Sequence, residues 1–363
     1  MPTLFDPIKL GAIAAPNRIL MAPLTRGRSE PVHVPISALK AEYYSQRAAA
    51  GLLIAEATGI SQEGLGWPSA PGIWSDEQVA AWQPVTQAVH EAGGRIILQL
   101  WHMGRLVHPD FLGGAQPVSS SDTTAPGSAH TATGKKPYEA ARALQLDEIP
   151  RVIADYVRAA TNAIRAGFDG VQIHGANGYL IDQFLRDNTN FRTDAYGGPV
   201  ENRIRLLREV TQAVADAVGA DRTSVRLSPN GETQGADDSN PVALFTAAAA
   251  ALHDIGIAFL ELREQKPFGG FGTTEVPRVS PDIRKVFPGP LILNQEYNLE
   301  RAEADLASGL ADGISFGRPF ISNPDLVDRL RVDAPFAPDN FKTWYSAGPE
   351  GYTDYPTLAH EAA

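Results

Sequence analysis

The chain has 363 residues and a mass of 38.9 kDa, with 31 Lys and Arg against 42 Asp and Glu, a formal charge of −11. That acidic balance speaks against broad nucleic-acid binding, which needs a clustered basic face, and 43% hydrophobic with 20% charged residues is a globular composition. Zero cysteine excludes disulfides, thiolate zinc sites, iron–sulfur clusters and a cysteine nucleophile. The N-terminus, Met1-Pro-Thr-Leu-Phe-Asp-Pro-Ile, lacks a basic n-region and an apolar h-region, and the most apolar stretch, 242–252, is far too short to cross a bilayer. A cytoplasmic protein with no membrane partner is expected. Length alone would suggest about two domains, but (β/α) barrels commonly exceed that prior as one unit.

Eight short apolar runs recur in chain order: 18–22, 52–57, 95–100, 170–174, 224–227, 258–262, 291–294 and 313–316. Most are near-continuously apolar, such as Ile96-Ile97-Leu98, as strands buried on both faces should be. Helical segments lie between them. Ser75 with Gln78 fits a capping box before 79–92, and Asn240-Pro241 and Ser280-Pro281 each place a cap residue before a first-turn proline. In 147–166 the apolar positions Ile149, Val152, Tyr156, Ala160 and Ile164 fall on one stripe. Helix ends are expected near Gly51, Gly93, Gly167, Gly219, Gly256 and Gly309.

Strands alternating with helices predict either a closed (β/α)8 barrel or a doubly wound open sheet. The second should carry G-x-G-x-x-G after an early strand. The nearest string, Gly270-Phe271-Gly272-Thr273-Thr274-Glu275, lacks the third glycine and follows a late strand. The α/β fold expected is therefore a TIM barrel, one domain over 1–363. Its long excursions, a lid-like one over 102–146 and another over 175–199, leave strands 3 and 4 at the C-terminal face, where active sites of such barrels lie.

The most informative segment, His174-Gly-Ala-Asn177-Gly-Tyr179, directly follows the fourth strand. His174 and Asn177 offer two hydrogen-bond donors for a substrate oxygen, and Tyr179 a proton for a neighbouring carbon. A satisfied core histidine and a packing aromatic are the plainer alternatives. Arg226 lies inside the fifth strand, where a guanidinium is costly unless it meets an anion or forms a buried structural ion pair. Gln99 within strand 3 needs partners that a planar heterocycle edge would supply. Thr25, after strand 1, is equally readable as a turn residue. Gly317-Arg318-Pro319 closes strand 8, the common phosphate position in such barrels, with a surface arginine beside a turn as the alternative. Trp101, Trp344 and Tyr345, with Phe268, are candidate pocket walls. The histidines show no metal-ligand spacing, so no metal is expected.

Several stretches in fixed order carry a resemblance: Asn17-Arg-Ile-Leu-Met-Ala-Pro-Leu-Thr-Arg26, His174-Gly-Ala-Asn-Gly-Tyr-Leu180, Phe184-Leu-Arg-Asp-Asn-Thr-Asn190, Arg192-Thr-Asp-Ala-Tyr-Gly-Gly198 and Glu201-Asn-Arg203. Over nearly its whole length the chain resembles the old yellow enzyme family of flavin-dependent ene-reductases. Thr25 makes it similar to the threonine-bearing branch, of N-ethylmaleimide reductase type, where other relatives carry cysteine.

The resemblance implies noncovalent FMN at the barrel mouth, reduced by NADPH or NADH acting as a transient hydride donor. By position, Pro23, Leu24, Thr25, Ala57 and Gln99 would meet the isoalloxazine ring, with His174 beside it. Arg226 would sit at the ring's anionic edge, Asn294, Gly317 and Arg318 near the phosphate, and Trp344 at the dimethylbenzene end. The implied reaction reduces activated C=C bonds of enals, enones, maleimides and nitroalkenes, with hydride from flavin N5 and a proton from Tyr179. Reductive denitration of nitrate esters or nitro compounds, and a non-redox phosphate-binding barrel enzyme, stand as alternatives.

Overall fold

The computed structural model describes residues 2–267 and 272–361. Eight parallel strands close into a barrel: β1 Ile19–Met21, β2 Leu52–Gly59, β3 Ile96–Trp101, β4 Gly170–Gly175, β5 Thr223–Leu227, β6 Phe259–Arg263, β7 Leu291–Asn294 and β8 Gly313–Phe316, with β8 paired to β1. Each coincides with an apolar run picked out above. Burial at every position of β2, β3 and β4 explains why their sequences do not alternate.

The outer helices are α1 Ser37–Ser45, α2 Asp76–Glu91, α3 Ile149–Arg165, α4 Arg205–Val218, α5 Pro241–Ile255, α6 Ser280–Val286, α7 Leu299–Ala307 and α8 Leu326–Arg331. Ser75 and Gln78 form both bonds of the capping box on α2, and the Asn240 side chain accepts from the Ala243 N–H at the start of α5. Such caps each stabilise by about 1 kcal/mol.

Two expectations about helix ends are corrected. Ser280 is the first residue inside α6 rather than its cap; the N–H groups of Val279 and Ser280 donate instead to Glu264 Oε1 (2.7 and 2.8 Å). A carboxylate reaching over from the end of β6 therefore does the capping, and its charge suits a helix N-terminus. Gly51 is not a helix-ending glycine either, since α1 stops at Ser45. It sits where a Cβ would lie 2.1 Å from the Asn17 carbonyl oxygen, so close backbone approach excludes a side chain.

The barrel's lower end is closed by an element the sequence reading did not anticipate. An antiparallel pair, Ile8–Leu10 with Ile13–Ala15, packs Leu10, Ile13 and Ala15 against Leu20, Leu52, Ile54, Ile97, Phe259 and Ile292. At the opposite end, the excursion over 102–146 has structure of its own. A hairpin pairs Ser128–Thr131 with Gly134–Pro137, and a short parallel pairing joins Val118–Ser119 to Arg142–Ala143. Gln183 pins its base: Oε1 accepts from the Arg105 N–H (3.1 Å) and Ser119 Oγ (2.8 Å), while Nε2 donates to the carbonyls of Met103 (3.1 Å) and Gly178 (2.8 Å). The excursions after β3 and β4 are thus tied together beside the mouth. No helix among the described residues is long and apolar enough to cross a membrane.

Candidate active site

Near the upper end of the barrel the interior turns polar. Gln99 Nε2 (β3) donates to Gln172 Oε1 (β4) at 2.8 Å, and Gln172 Nε2 donates to Glu261 Oε2 (β6) at 2.8 Å. Glu261 Oε1 accepts from Arg226 Nη1 (β5) at 2.9 Å and from Ser315 Oγ (β8). Arg226 Nη2 donates to Asn294 Oδ1 (β7) at 2.8 Å, and Asn294 Nδ2 donates to the Ser315 carbonyl at 2.7 Å. Six strands contribute to one bonded layer.

The layer settles what Arg226 meets within the chain: a buried ion pair with Glu261. Its Nε–H, equally buried, has no partner among the described residues. A buried guanidinium donor left unspent in this polar layer fits an acceptor edge such as that of a flavin. Gln172, Glu261 and Ser315 were not singled out from sequence. The signal was available, because a carboxylate inside Phe259-Leu-Glu-Leu-Arg263 poses the question that Arg226 posed, and each answers the other.

Above this layer, β4 ends in the turn that carries His174, Asn177 and Tyr179. His174 is 4% exposed. The Ala176 N–H donates to its Nδ1 (3.3 Å), which makes Nδ1 the acceptor and places the ring proton on Nε2. Burial, with Arg226 and Arg263 nearby, pushes the imidazole well below its usual range, so it is neutral at pH 7. Asn177 holds a left-handed φ of 58°, pinned by its N–H to Ser228 Oγ (2.8 Å) and its carbonyl accepting from Gln234 Nε2 (2.8 Å). Its Oδ1 accepts from Arg263 Nη1 at 3.0 Å.

His174 Nε2 and Asn177 Nδ2 therefore remain as two N–H donors with no bond among the described residues. Tyr179 packs edge-on against both His174 and Trp101, with ring centroids 5.0 Å apart in each case. Burial raises its phenol above the usual range, which keeps the proton on at neutral pH.

The other expected residues sit around this mouth. Pro23, Leu24 and Thr25 follow β1 and are half-buried, and Ala57 lies in β2 at an irregularity between Ala55 and Thr58. The segment after Thr25 is clamped to the C-terminal stretch by arginines that sequence reading passed over. Arg26 Nε donates to the Trp344 carbonyl (3.1 Å), and Arg28 Nη1 donates to the same oxygen (2.9 Å). This holds Trp344 and the half-exposed Tyr345 beside the β1 exit; the Tyr345 ring lies 5.4 Å from Trp67, which in turn meets His130 of the excursion hairpin.

Gly317 precedes the short helix Arg318–Ser322, and a Cβ there would meet only Leu24 Cδ2 at 3.6 Å, so the backbone faces open space. Arg318 lies 6.0 Å from the Trp344 ring and makes a long 3.5 Å contact with Glu296. Asn294 takes part in the polar layer, and its Nδ2 donates to the Ser315 carbonyl, two residues before Gly317. Phe268 lies outside the described residues. Among the described residues, no group of three or more His, Asp or Glu is placed to hold a metal ion.

The profile of the NADH:flavin oxidoreductase / NADH oxidase family matches residues 3–335. The chain belongs to this family. It is 62% identical to the old yellow enzyme homologue from Zymomonas mobilis, with a TM-score of 0.97 over 98% of this chain and 100% of that one. Morphinone reductase in complex with tetrahydroNAD superposes with a TM-score of 0.92 at 44% identity, covering 99% and 98% of the two chains. Among sequence relatives, putative 12-oxophytodienoate reductase 11 of Oryza sativa subsp. japonica is 44% identical over 98% of this chain and 97% of its own. The family member described here is an FMN-dependent NAD(P)H oxidoreductase of the old yellow enzyme type, with the cofactor held noncovalently, and it reduces activated C=C bonds.

Proposed function

We propose that His174 and Asn177 bind the oxygen of the substrate's electron-withdrawing group, and that Tyr179 gives the proton to its α-carbon. The observation that carries this reading is the pair of donors, His174 Nε2 and Asn177 Nδ2, in one turn and without partners among the described residues. Charge grows on a carbonyl or nitro oxygen as the β-carbon is reduced, and preorganised donors stabilise that charge more than they stabilise the neutral ground state. A neutral imidazole suits this role because it donates without consuming its proton. When bound, FMN supplies the hydride that the β-carbon receives.

Tyr179 stays protonated until it is needed and stands beside His174, within reach of the carbon next to the polarised group. Gln99 and the unspent Nε of Arg226 would hold the polar edge of the flavin. Pro23, Leu24, Thr25 and Ala57 would pack on its ring, and Trp344 at its outer end. Arg318, with the open backbone at Gly317, would take the phosphate, exchanging a long contact with Glu296 for bidentate bonds. Trp101 and Tyr345 would wall the substrate. The whole chain, 1–363, acts as one FMN-binding unit in this reading, with the excursion over 102–146 bordering the entrance. Its lack of cysteine accords with work in the cytoplasm.

The test is an anaerobic visible spectrum of the purified protein, taken with NADPH and then with 2-cyclohexenone. A flavin band that bleaches and returns with the enone supports alkene reduction at this site. A band that returns only with nitro compounds or oxygen would replace it with denitration.

A further inference from the structure

Arg263 ends β6, two strands along the barrel from the β4 that carries the His174 turn, with β5 between them. It is 6% exposed, and burial together with Arg226 lowers its guanidinium only to about 10, so it is a cation at neutral pH. Nη1 donates to Asn177 Oδ1 at 3.0 Å, and Nε donates to Gln295 Oε1 at 3.1 Å. No role for a second arginine at this position was expected from the sequence.

The consequence lies in the amide of Asn177. Its backbone is already fixed by Ser228 and Gln234, which leaves the direction of the terminal amide as the remaining freedom. An amide presents an acceptor on one side and two donors on the other. Turned one way, it offers N–H to the substrate oxygen beside His174 Nε2. Turned the other way, it offers a second oxygen, which repels the developing negative charge. A guanidinium has donors only, so the atom facing Arg263 must be Oδ1, and the N–H side is then directed to the pocket.

We propose that Arg263 is a positioning residue that locks the Asn177 amide with Nδ2 toward the substrate oxygen, so that this subsite presents two donors. The inference rests on the reading of His174 and Asn177 as the oxygen-binding pair. It also narrows what the site selects. Ligands bearing an oxygen with full or nearly full negative charge gain most from two fixed donors, so nitroalkenes and phenolate-like ligands depend on Arg263 more than weakly polarised enals do.

A double-mutant cycle on the FMN-loaded enzyme tests it, with 4-nitrophenolate as an inert oxyanion probe followed by difference spectra and 2-cyclohexenone kinetics alongside. Arg263→Met is expected to weaken probe binding about tenfold, and Asn177→Ala by at least as much. The double variant should bind no worse than Asn177→Ala alone, because the arginine acts through the asparagine. Arg263→Lys, which keeps a donor for Oδ1, should recover most of the loss.

Additive losses would overturn the proposal, since Arg263 would then act by its own charge; so would wild-type binding in Arg263→Met. If Asn177→Ala itself leaves binding and turnover unchanged, the oxygen-pair reading falls and takes this one with it. Should Arg263→Met shed FMN, Arg263→Gln carries the same cycle, with a several-fold loss that vanishes in the Asn177→Ala background.

Discussion

The two ends of the barrel are made from the same eight strands and hold opposite contents. At the floor, Leu20, Leu52, Ile54, Ile97, Phe259 and Ile292 meet the hairpin residues Leu10 and Ile13 in an apolar plug. Near the mouth, Gln99, Gln172, Arg226, Glu261, Asn294 and Ser315 join through hydrogen bonds. Along β6 the change takes two residues, from Phe259 in the plug to Glu261 in the polar layer. The floor stabilises the molecule by removing apolar surface from water. The polar layer contributes little net stability for its burial, but holds charges and amides in fixed directions where a cofactor and substrate can use them.

That division can be broken or sharpened by perturbing each end. Phe259→Ala removes a fully packed ring at the floor and should cost about 3–5 kcal/mol, read from the urea midpoint. The rate of alkene reduction in the folded fraction should stay at the wild-type value; a parallel fall in rate would show that the ends are coupled.

His102, just past β3, supplies a pH test between the two. Burial lowers its pKa to about 4, against an ordinary value of 6.5 in the unfolded chain. The unfolded state therefore binds the proton first. Stability is complete above about pH 6.5 and is lost as pH falls from there toward 4, by roughly 3 kcal/mol. Urea titrations at pH 7 and pH 5 should show this slope in the wild type and a flatter one in His102→Asn, whose Oδ1 can still accept from the Gly104 N–H. An equal slope in both would assign the pH dependence elsewhere.

Tyr179→Phe acts at the mouth alone. It should slow reduction of a poorly activated enone about a hundredfold, near 2.7 kcal/mol on the barrier, with unfolding unchanged. Nitroalkenes should be spared, because a nitronate can take its proton later from water. Equal loss with both substrates would make Tyr179 a spacer rather than a proton donor.

How much of this was legible in the sequence depended on the kind of signal. Strands buried on both faces leave apolar runs, and all eight were readable from residues such as Ile96–Leu98. Caps with a local partner, Ser75 with Gln78 and Asn240 with Ala243, were readable too. Ser280 failed because its supposed role is filled by Glu264, a partner 16 residues away that no local pattern reveals. The floor hairpin was missed because three-residue strands carry almost no periodicity. In the site, His174, Asn177, Tyr179, Gln99 and Arg226 stood out as polar groups at strand ends or interiors. Glu261, Gln172 and Arg263 had the same property and gain their meaning from cross-strand register, which pairs Arg226 with Glu261 and Gln172 with Gln99. Asn294, which the resemblance places near the phosphate, has its amide bonded to Arg226 and to the Ser315 carbonyl, a pairing that only the cross-strand register reveals.

The most direct test of the site is the reoxidation of NADPH-reduced enzyme by 2-cyclohexenone under anaerobic stopped flow, comparing wild type with His174→Ala/Asn177→Ala. With both donors gone, FMN should remain bound and still be reoxidised by oxygen, while reoxidation by the enone slows by about 10³-fold or more. Return of the flavin band at the wild-type rate in the double variant would contradict the assignment of these two side chains to the substrate oxygen.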